Sequence, residues 1–87
     1  MAKTERIVRY LTVFEKKGAE KLLKEIEANN LSLSFIRQIF KAKNDDPNLY
    51  RPYKVTKVGY AKITQRVPEL KEYPLSSYDI YLETFIE

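Results

Sequence analysis

The sequence predicts an α+β fold in a single domain over residues 1–87. We expect a small antiparallel sheet of three to four strands, with the N- and C-terminal strands paired and two short helices packed on one face. Alternating apolar residues near both chain ends predict the strands. An apolar helical stripe in residues 31–40 needs a surface to cover it. Hydrophobic residues make up 44% of the chain, which is enough for such a core.

The first strand is predicted over residues 6–14, where β-branched and aromatic residues dominate. Both of its faces are largely apolar, which is typical of a strand inside a sheet. Arg9 interrupts one face, and Asp79 or Glu83 is its expected partner if the terminal strands pair. A turn over residues 15–18 ends the strand, because Gly18 can adopt a positive φ.

Residues 19–28 fit two structures. Their Ala, Glu, Lys and Leu content favours a helix, in which Leu22, Leu23 and Ile26 share one stripe. A strand would place Leu22, Lys24 and Ile26 on one face and would form a hairpin with the first strand. Local propensity favours the helix, but the pattern leaves both structures open.

A short helix is predicted after Ser32, whose hydroxyl can accept a backbone N–H of the first turn. Leu31 and Ile36 have the spacing of a hydrophobic staple. The residues of its apolar stripe are Phe35, Ile36, Ile39 and Phe40. On this pattern, Phe35→Ala or Phe40→Ala should each cost about 3–5 kcal/mol.

The remaining elements are predicted from the positions of the prolines and from the alternation of apolar and polar residues. Residues 44–48 form a turn, and residues 49–55 are extended with at most a short edge strand, since Pro52 cannot donate a hydrogen bond to a sheet. Thr56 can cap a second helix, which starts at Lys57 and ends near Arg66. A loop follows, and then a strand over residues 78–86, where the alternation of apolar and polar residues is clearest.

Composition argues against most enzyme classes. The chain has no cysteine and no histidine, so it lacks a thiolate nucleophile, the usual general base and the commonest metal ligand. Asp45 and Asp46 lack the spacing of a calcium loop and indicate a turn. We therefore expect no enzyme activity, no cofactor and no metal site. No apolar run is long enough to span a membrane, which predicts a soluble, cytoplasmic protein without membrane contacts.

The net charge of +4 is unevenly distributed. Residues 1–70 contain fifteen Lys and Arg against eight Asp and Glu, whereas residues 71–87 contain one Lys against four acids. Two explanations stay open. The acidic last strand can lie beside basic neighbours, or a basic face can bind nucleic acid or an acidic protein.

The densest cluster of aromatic and basic side chains is the predicted partner-binding site. Its residues are Tyr50, Arg51, Tyr53, Lys54 and Lys57. Tyr and Arg often anchor protein interfaces, and they also stack on bases while cations contact phosphates. The structural alternative is that the two tyrosines pack over an edge of the core.

Three stretches carry a resemblance to known families: residues 9–16, residues 30–40 together with 45–47, and residues 78–83. They resemble a family of small uncharacterised bacterial proteins, largely cyanobacterial, and more distantly the cloacin-type immunity proteins. The resemblance implies an antiparallel sheet with helices on one face, and it implies that residues 21–27 form a strand, which we therefore predict. An immunity role would mean binding a toxin, although such proteins tend to be acidic and this chain is basic.

The sequence therefore predicts a small non-catalytic protein-binding module, of an immunity-like or regulatory kind. Its partner is expected to be another protein of unknown identity, and a homodimer is a further option. The alternative function is a nucleic-acid-binding protein that uses the same Tyr, Arg and Lys surface.

Overall fold

A computed structural model of the chain describes residues 7–16, 21–41 and 45–86. The strands are β1 (Ile7–Glu15), β2 (Leu22–Glu27), β3 (Tyr53–Lys54) and β4 (Tyr78–Ile86), and the helices are α1 (Leu33–Phe40), α2 (Lys57–Ile63) and a 3-10 helix (Pro68–Glu72). The strands form one antiparallel sheet in the order β2-β1-β4-β3. Parts of the predicted elements lie outside the described residues, namely Arg6, residues 17–20 and Asn44.

The terminal strands pair along their whole length, as predicted. β1 and β4 run antiparallel from Ile7 opposite Ile86 to Glu15 opposite Tyr78. The second segment is a strand, as the resemblance implied, because β2 pairs with β1 and places Ile26 opposite Leu11. A register shift between Val13 and Phe14 puts Leu22 opposite Phe14, so the prediction that Leu22 shares a face with Lys24 and Ile26 is wrong. This pairing overrides the local helix propensity, since burial of Ile26 against β1 is available only to a strand.

One face of the sheet and the helices enclose the core. Leu11 lies opposite Leu82 and Val13 lies opposite Ile80, and all four are fully buried. Ile36 of α1 and the helical residues Ile63 and Leu70 complete this layer. The 3-10 helix, which the sequence suggested was a loop, therefore contributes a core residue through Leu70.

The first helix begins as predicted. The Phe35 N–H donates a hydrogen bond to Ser32 Oγ at 3.2 Å. Ile36 is 0% exposed, whereas Phe35 and Phe40 are only partly buried at the margin of the core. We therefore expect either phenylalanine variant to cost less than the roughly 3–5 kcal/mol predicted from the sequence, because partly buried rings lose less contact on truncation than a fully buried side chain does.

The second helix starts at Lys57 as predicted but ends earlier, at Ile63. Thr56 occupies the N-cap position as predicted, but its side chain makes no capping hydrogen bond. The two helices approach closely where Gly59 faces α1. A Cβ atom at Gly59 would lie 2.8 Å from Ile39 Cγ2, which leaves no room for a side chain unless one helix shifts.

Arg9 does not pair with an acid of the last strand. Arg9 lies opposite Thr84, on the sheet face that the helices cover. Asp79 and Glu83 of β4 lie on the other face of the sheet. The guanidinium Nη2 instead donates to the carbonyl oxygen of Asn48 at 2.8 Å. The expected ion pair fails because a shift of one residue in a strand moves a side chain to the other face.

Candidate protein-binding surface

The structure places neighbouring members of the predicted partner-binding cluster on different faces of the sheet. Tyr53 pairs with Leu82 and so lies on the helix-covered face, where its ring centroid is 6.0 Å from that of Phe40. Its hydroxyl donates to Asp46 Oδ2 at 2.7 Å. Tyr53 is thus an edge residue of the core, as the structural alternative expected.

Lys54 follows Tyr53 and therefore lies on the opposite face of the sheet, with Nζ 3.6 Å from Asp79 Oδ1. Tyr50 and Arg51 are exposed on the preceding turn, and Lys57 is exposed at the start of α2. Arg51 contacts Asp45 at 3.0 Å, with both side chains more than half exposed. Tyr53 and Lys54 line one depression, and Lys54 and Lys57 line another. A role of these residues in partner binding stays a prediction.

Asp46 organises the turn that carries this cluster. Its carboxylate accepts hydrogen bonds from the backbone N–H groups of Tyr50, at 2.9 Å, and Arg51, at 3.1 Å, besides the Tyr53 hydroxyl. Burial raises the pKa of Asp46, but these hydrogen bonds and the charge of Arg51 outweigh burial and hold the pKa below its ordinary value of 3.8. The predicted turn at Asp45–Asp46 is thus a structural anchor.

The other face of the sheet, which we call the open face, carries residues that do not belong to the helix-covered core cluster. They alternate with the core residues along the two paired terminal strands. The open-face residues of these strands are Val8, Tyr10, Thr12 and Phe14 of β1, and Asp79, Tyr81, Glu83 and Phe85 of β4.

Four aromatic side chains form two edge-to-face pairs on the open face. The ring centroids of Tyr10 and Phe85 are 5.9 Å apart, and those of Phe14 and Tyr81 are 5.8 Å apart. Phe85 is 43% exposed, while the other three rings are partly buried. The rings hold one another in place, so this aromatic layer is preformed and needs little ordering before a partner binds.

Carboxylates surround the aromatic layer. In β2, Glu25 lies opposite Thr12 and Glu27 lies opposite Tyr10, so both share the open face with Asp79 and Glu83. Among the described residues, two lysines lie near this face, and both are close to Asp79: Lys54 Nζ is 3.6 Å and Lys16 Nζ is 3.9 Å from Asp79 Oδ1. The open face is therefore acidic, although the whole chain carries a net charge of +4.

A depression of about 420 Å³ lies within the open face, lined by Tyr10, Glu25, Phe85 and Ile86. It combines two aromatic rings with one carboxylate. A cationic side chain can contact aromatic faces and pair with a carboxylate in the same site, so the depression suits an Arg or Lys of a partner.

The sequence contains a signal for this surface. Along β4, acids and aromatics alternate at Asp79, Tyr81, Glu83 and Phe85, a pattern that by itself indicates only the second face of a strand. The apolar second face of β1 indicated an interior strand, which is correct. That position does not imply a helix layer on both sides, because antiparallel sheets often leave one face uncovered.

The described residues also bear on metal binding and on membrane-spanning helices. They contain no group of three His, Cys, Asp or Glu residues that could hold a metal ion. Burial raises the pKa of Tyr60, whose hydroxyl donates to the Leu70 carbonyl oxygen at 3.0 Å and so joins α2 to the 3-10 helix. Within the described ranges, every helix is too short or too polar to cross a membrane.

Comparison with known proteins identifies one family. Residues 8–83 match the family model described as Domain of unknown function (DUF7683). No curated protein and no solved structure matches the chain. The predicted similarities to cyanobacterial proteins and to cloacin-type immunity proteins therefore stay predictions.

Proposed function

Since this chain belongs to the DUF7683 family, a domain of unknown function, we propose that it is a small non-catalytic protein-binding module whose partner binds the open face of the sheet. The observation that carries the proposal is the aromatic layer of Tyr10, Phe14, Tyr81 and Phe85 on a face that the helical core does not cover. Exposed aromatic patches rimmed by polar residues are typical of protein interaction sites.

The charges on this face favour a protein over a nucleic acid. Glu25, Glu27 and Glu83 would lie beside the phosphates of any strand stacked on the aromatic rings, and like charges repel. A protein can instead present cations to these carboxylates, which gives specificity and faster association. An immunity-like or regulatory role, in which the module acts by occupying a surface of its partner, forms part of this proposal.

The proposal is tested with two variants that each remove an exposed apolar side chain. Phe85 is 43% exposed on the open face, and Val58 is 68% exposed on α2. The tagged protein is used to capture partners from the source cells, and the best captured protein is then purified for titration calorimetry. We expect Phe85→Ser to weaken binding at least about tenfold, as truncation of an interface anchor does, and Val58→Ser to leave it unchanged.

The reverse pattern, with binding lost in Val58→Ser and retained in Phe85→Ser, would place the interface on the helices and refute the open-face proposal. Circular dichroism of both variants verifies that they fold. Because both side chains are substantially exposed, neither change should alter stability by more than about 1 kcal/mol.

The nucleic-acid alternative has its own test, a salt titration with labelled single-stranded and duplex DNA. On duplex DNA, each phosphate contact makes the slope of log affinity against log salt concentration more negative by about 0.9. We expect no binding at about 50 mM salt. Binding that weakens steeply with salt, and is reduced by Arg51→Gln or Lys57→Gln, would instead support nucleic-acid recognition by the sequence-predicted cluster.

A further inference from the structure

Strand β2 forms one outer edge of the sheet. Five of its six residues lie opposite residues of β1, Leu23 falls at a register irregularity, and no other described strand pairs with β2. An edge strand presents backbone N–H and C=O groups that can pair with an added strand. Leu22 and Leu23 at its start are each 43% exposed, so the strand also offers apolar contact area.

The side chains of β2 divide between the two faces of the sheet. Lys24 lies opposite Val13 and Ile26 lies opposite Leu11, so both belong to the helix-covered face. Glu25 and Glu27 belong to the open face. An added strand would therefore meet two carboxylates on one face, and a lysine and an isoleucine on the other.

Three alignments of a second copy of β2 on this edge place like charges opposite each other. In an antiparallel pair, residues directly opposite each other lie on the same face of the sheet. When two copies of β2 pair, an even-numbered residue therefore lies opposite an even-numbered residue, and an odd-numbered residue lies opposite an odd-numbered one. Alignment about Glu25 places Glu25 against Glu25, and alignment about Lys24 places Lys24 against Lys24. Alignment about Ile26 places Glu25 against Glu27 twice. Like charges directly opposite each other destabilise every one of these arrangements.

We propose that β2 binds an extended segment of a partner protein as an added strand, with Arg or Lys at alternate positions and an apolar residue between them. The cations lie opposite Glu25 and Glu27 on the open face, and the apolar residue lies opposite Ile26. Main-chain hydrogen bonds supply affinity, and the alternating side chains supply specificity. This inference rests on the proposed function, since the added strand enlarges the open face.

The open face adds a reason for arginine at the position opposite Glu25. That carboxylate lines the depression that also contains the rings of Tyr10 and Phe85. A guanidinium that reaches it can pair with the carboxylate and stack against a ring at the same time. The edge charge and the aromatic layer thus select the same class of partner.

Labelled synthetic peptides test the inference directly. The first is a ten-residue peptide that alternates Arg with Val and Thr, and the second carries Glu in place of each Arg. Two further versions of the Arg peptide carry backbone N-methyl groups, one on its odd-numbered residues and the other on its even-numbered residues. Each version therefore lacks the N–H donors along one edge of the peptide strand. Binding is measured by fluorescence anisotropy, and the site is mapped by NMR chemical shifts of the β2 amides.

We expect the Arg peptide to bind at least about tenfold more tightly than the Glu peptide, although the chain and the Arg peptide are both cationic. N-methylation should abolish binding for one of the two copies. Glu25→Gln with Glu27→Gln should weaken binding at least about fivefold, whereas Glu69→Gln on the 3-10 helix, also an exposed glutamate, should not. Equal binding of all peptides, or β2 amide shifts that do not change, would overturn strand addition.

The two proposals can fail separately. If Phe85→Ser abolishes partner binding while the Arg peptide does not perturb β2, strand addition is wrong and the open face still binds the partner. If Phe85→Ser has no effect on the natural partner and the peptide binds β2, the open-face interface is refuted, and with it the claim that the added strand enlarges that interface.

Discussion

Leu11→Ala is expected to destabilise the domain by about 2–5 kcal/mol, the usual cost of truncating a buried leucine. Leu11 is 0% exposed and lies in β1 between Ile26 of β2 and Leu82 of β4. Its removal would leave a cavity where two strand pairs and the helical layer meet. Since small domains have only about 5–15 kcal/mol of total stability, this single change should remove a large part of it.

Thermal and urea unfolding monitored by circular dichroism measure this effect. A domain of this size loses roughly 4–8 °C in Tm for each kcal/mol, so we expect a decrease of more than about 10 °C. Leu23→Ala is the matched control, because it deletes the same atoms from a side chain that is 43% exposed. It should cost less than about 1 kcal/mol. Similar losses in both variants would show that Leu11 does not occupy the core.

Asp46→Ala is expected to have the next largest effect. The change removes the acceptor for the N–H groups of Tyr50 and Arg51 and for the Tyr53 hydroxyl, and it leaves these donors without their partner in the folded chain. The turn they form leads directly into β3, which pairs with β4. We expect Tm to fall by about 10 °C.

Asp45→Ala provides the control for this variant. Asp45 precedes Asp46, but its contact with Arg51 joins two side chains that are 64% and 58% exposed. Exposed ion pairs contribute little, so the Tm should change by less than about 3 °C. A larger decrease for Asp45→Ala than for Asp46→Ala would contradict the anchoring role of Asp46.

The pH dependence of stability provides an independent test of Asp46. Its pKa in the folded chain lies below the ordinary value of 3.8, so the unfolded chain binds a proton more readily. The resulting stabilisation is fully present above about pH 4 and is lost as the pH falls through the folded pKa. Asp46→Asn should therefore flatten the decrease in Tm below pH 4, and an unchanged pH profile would refute this contribution.

Local sequence patterns were enough to identify several elements correctly. The alternation over residues 78–86 predicted β4 with its observed bounds, because a period of two is visible without knowledge of the neighbouring strand. Ser32 and the apolar stripe predicted α1, because capping and helical periodicity are also local properties. Pairing of β1 with β4 followed from the apolar content of both strands.

Contacts between distant segments were beyond this reasoning. Arg9 was assigned to an acid of β4, but the register of β1 against β4 placed it beneath the turn near Asn48. Tyr53 and Lys54 were assigned to one binding cluster, but pairing of β3 with β4 placed them on opposite faces. A strand register depends on two segments at once, and a difference of one residue reverses the face.

By itself, the sequence determined the α+β class, the two terminal strands and the first helix, because each depends on periodicity within a few neighbouring residues. Only the tertiary structure decided that residues 22–27 form a strand and that the aromatic and acidic side chains of β1 and β4 share an open face. The physical reason is that strand pairing and helix docking are settled by burial between distant segments. The short helices pack on one side of the sheet, and the opposite side carries the Tyr10–Phe85 and Phe14–Tyr81 pairs.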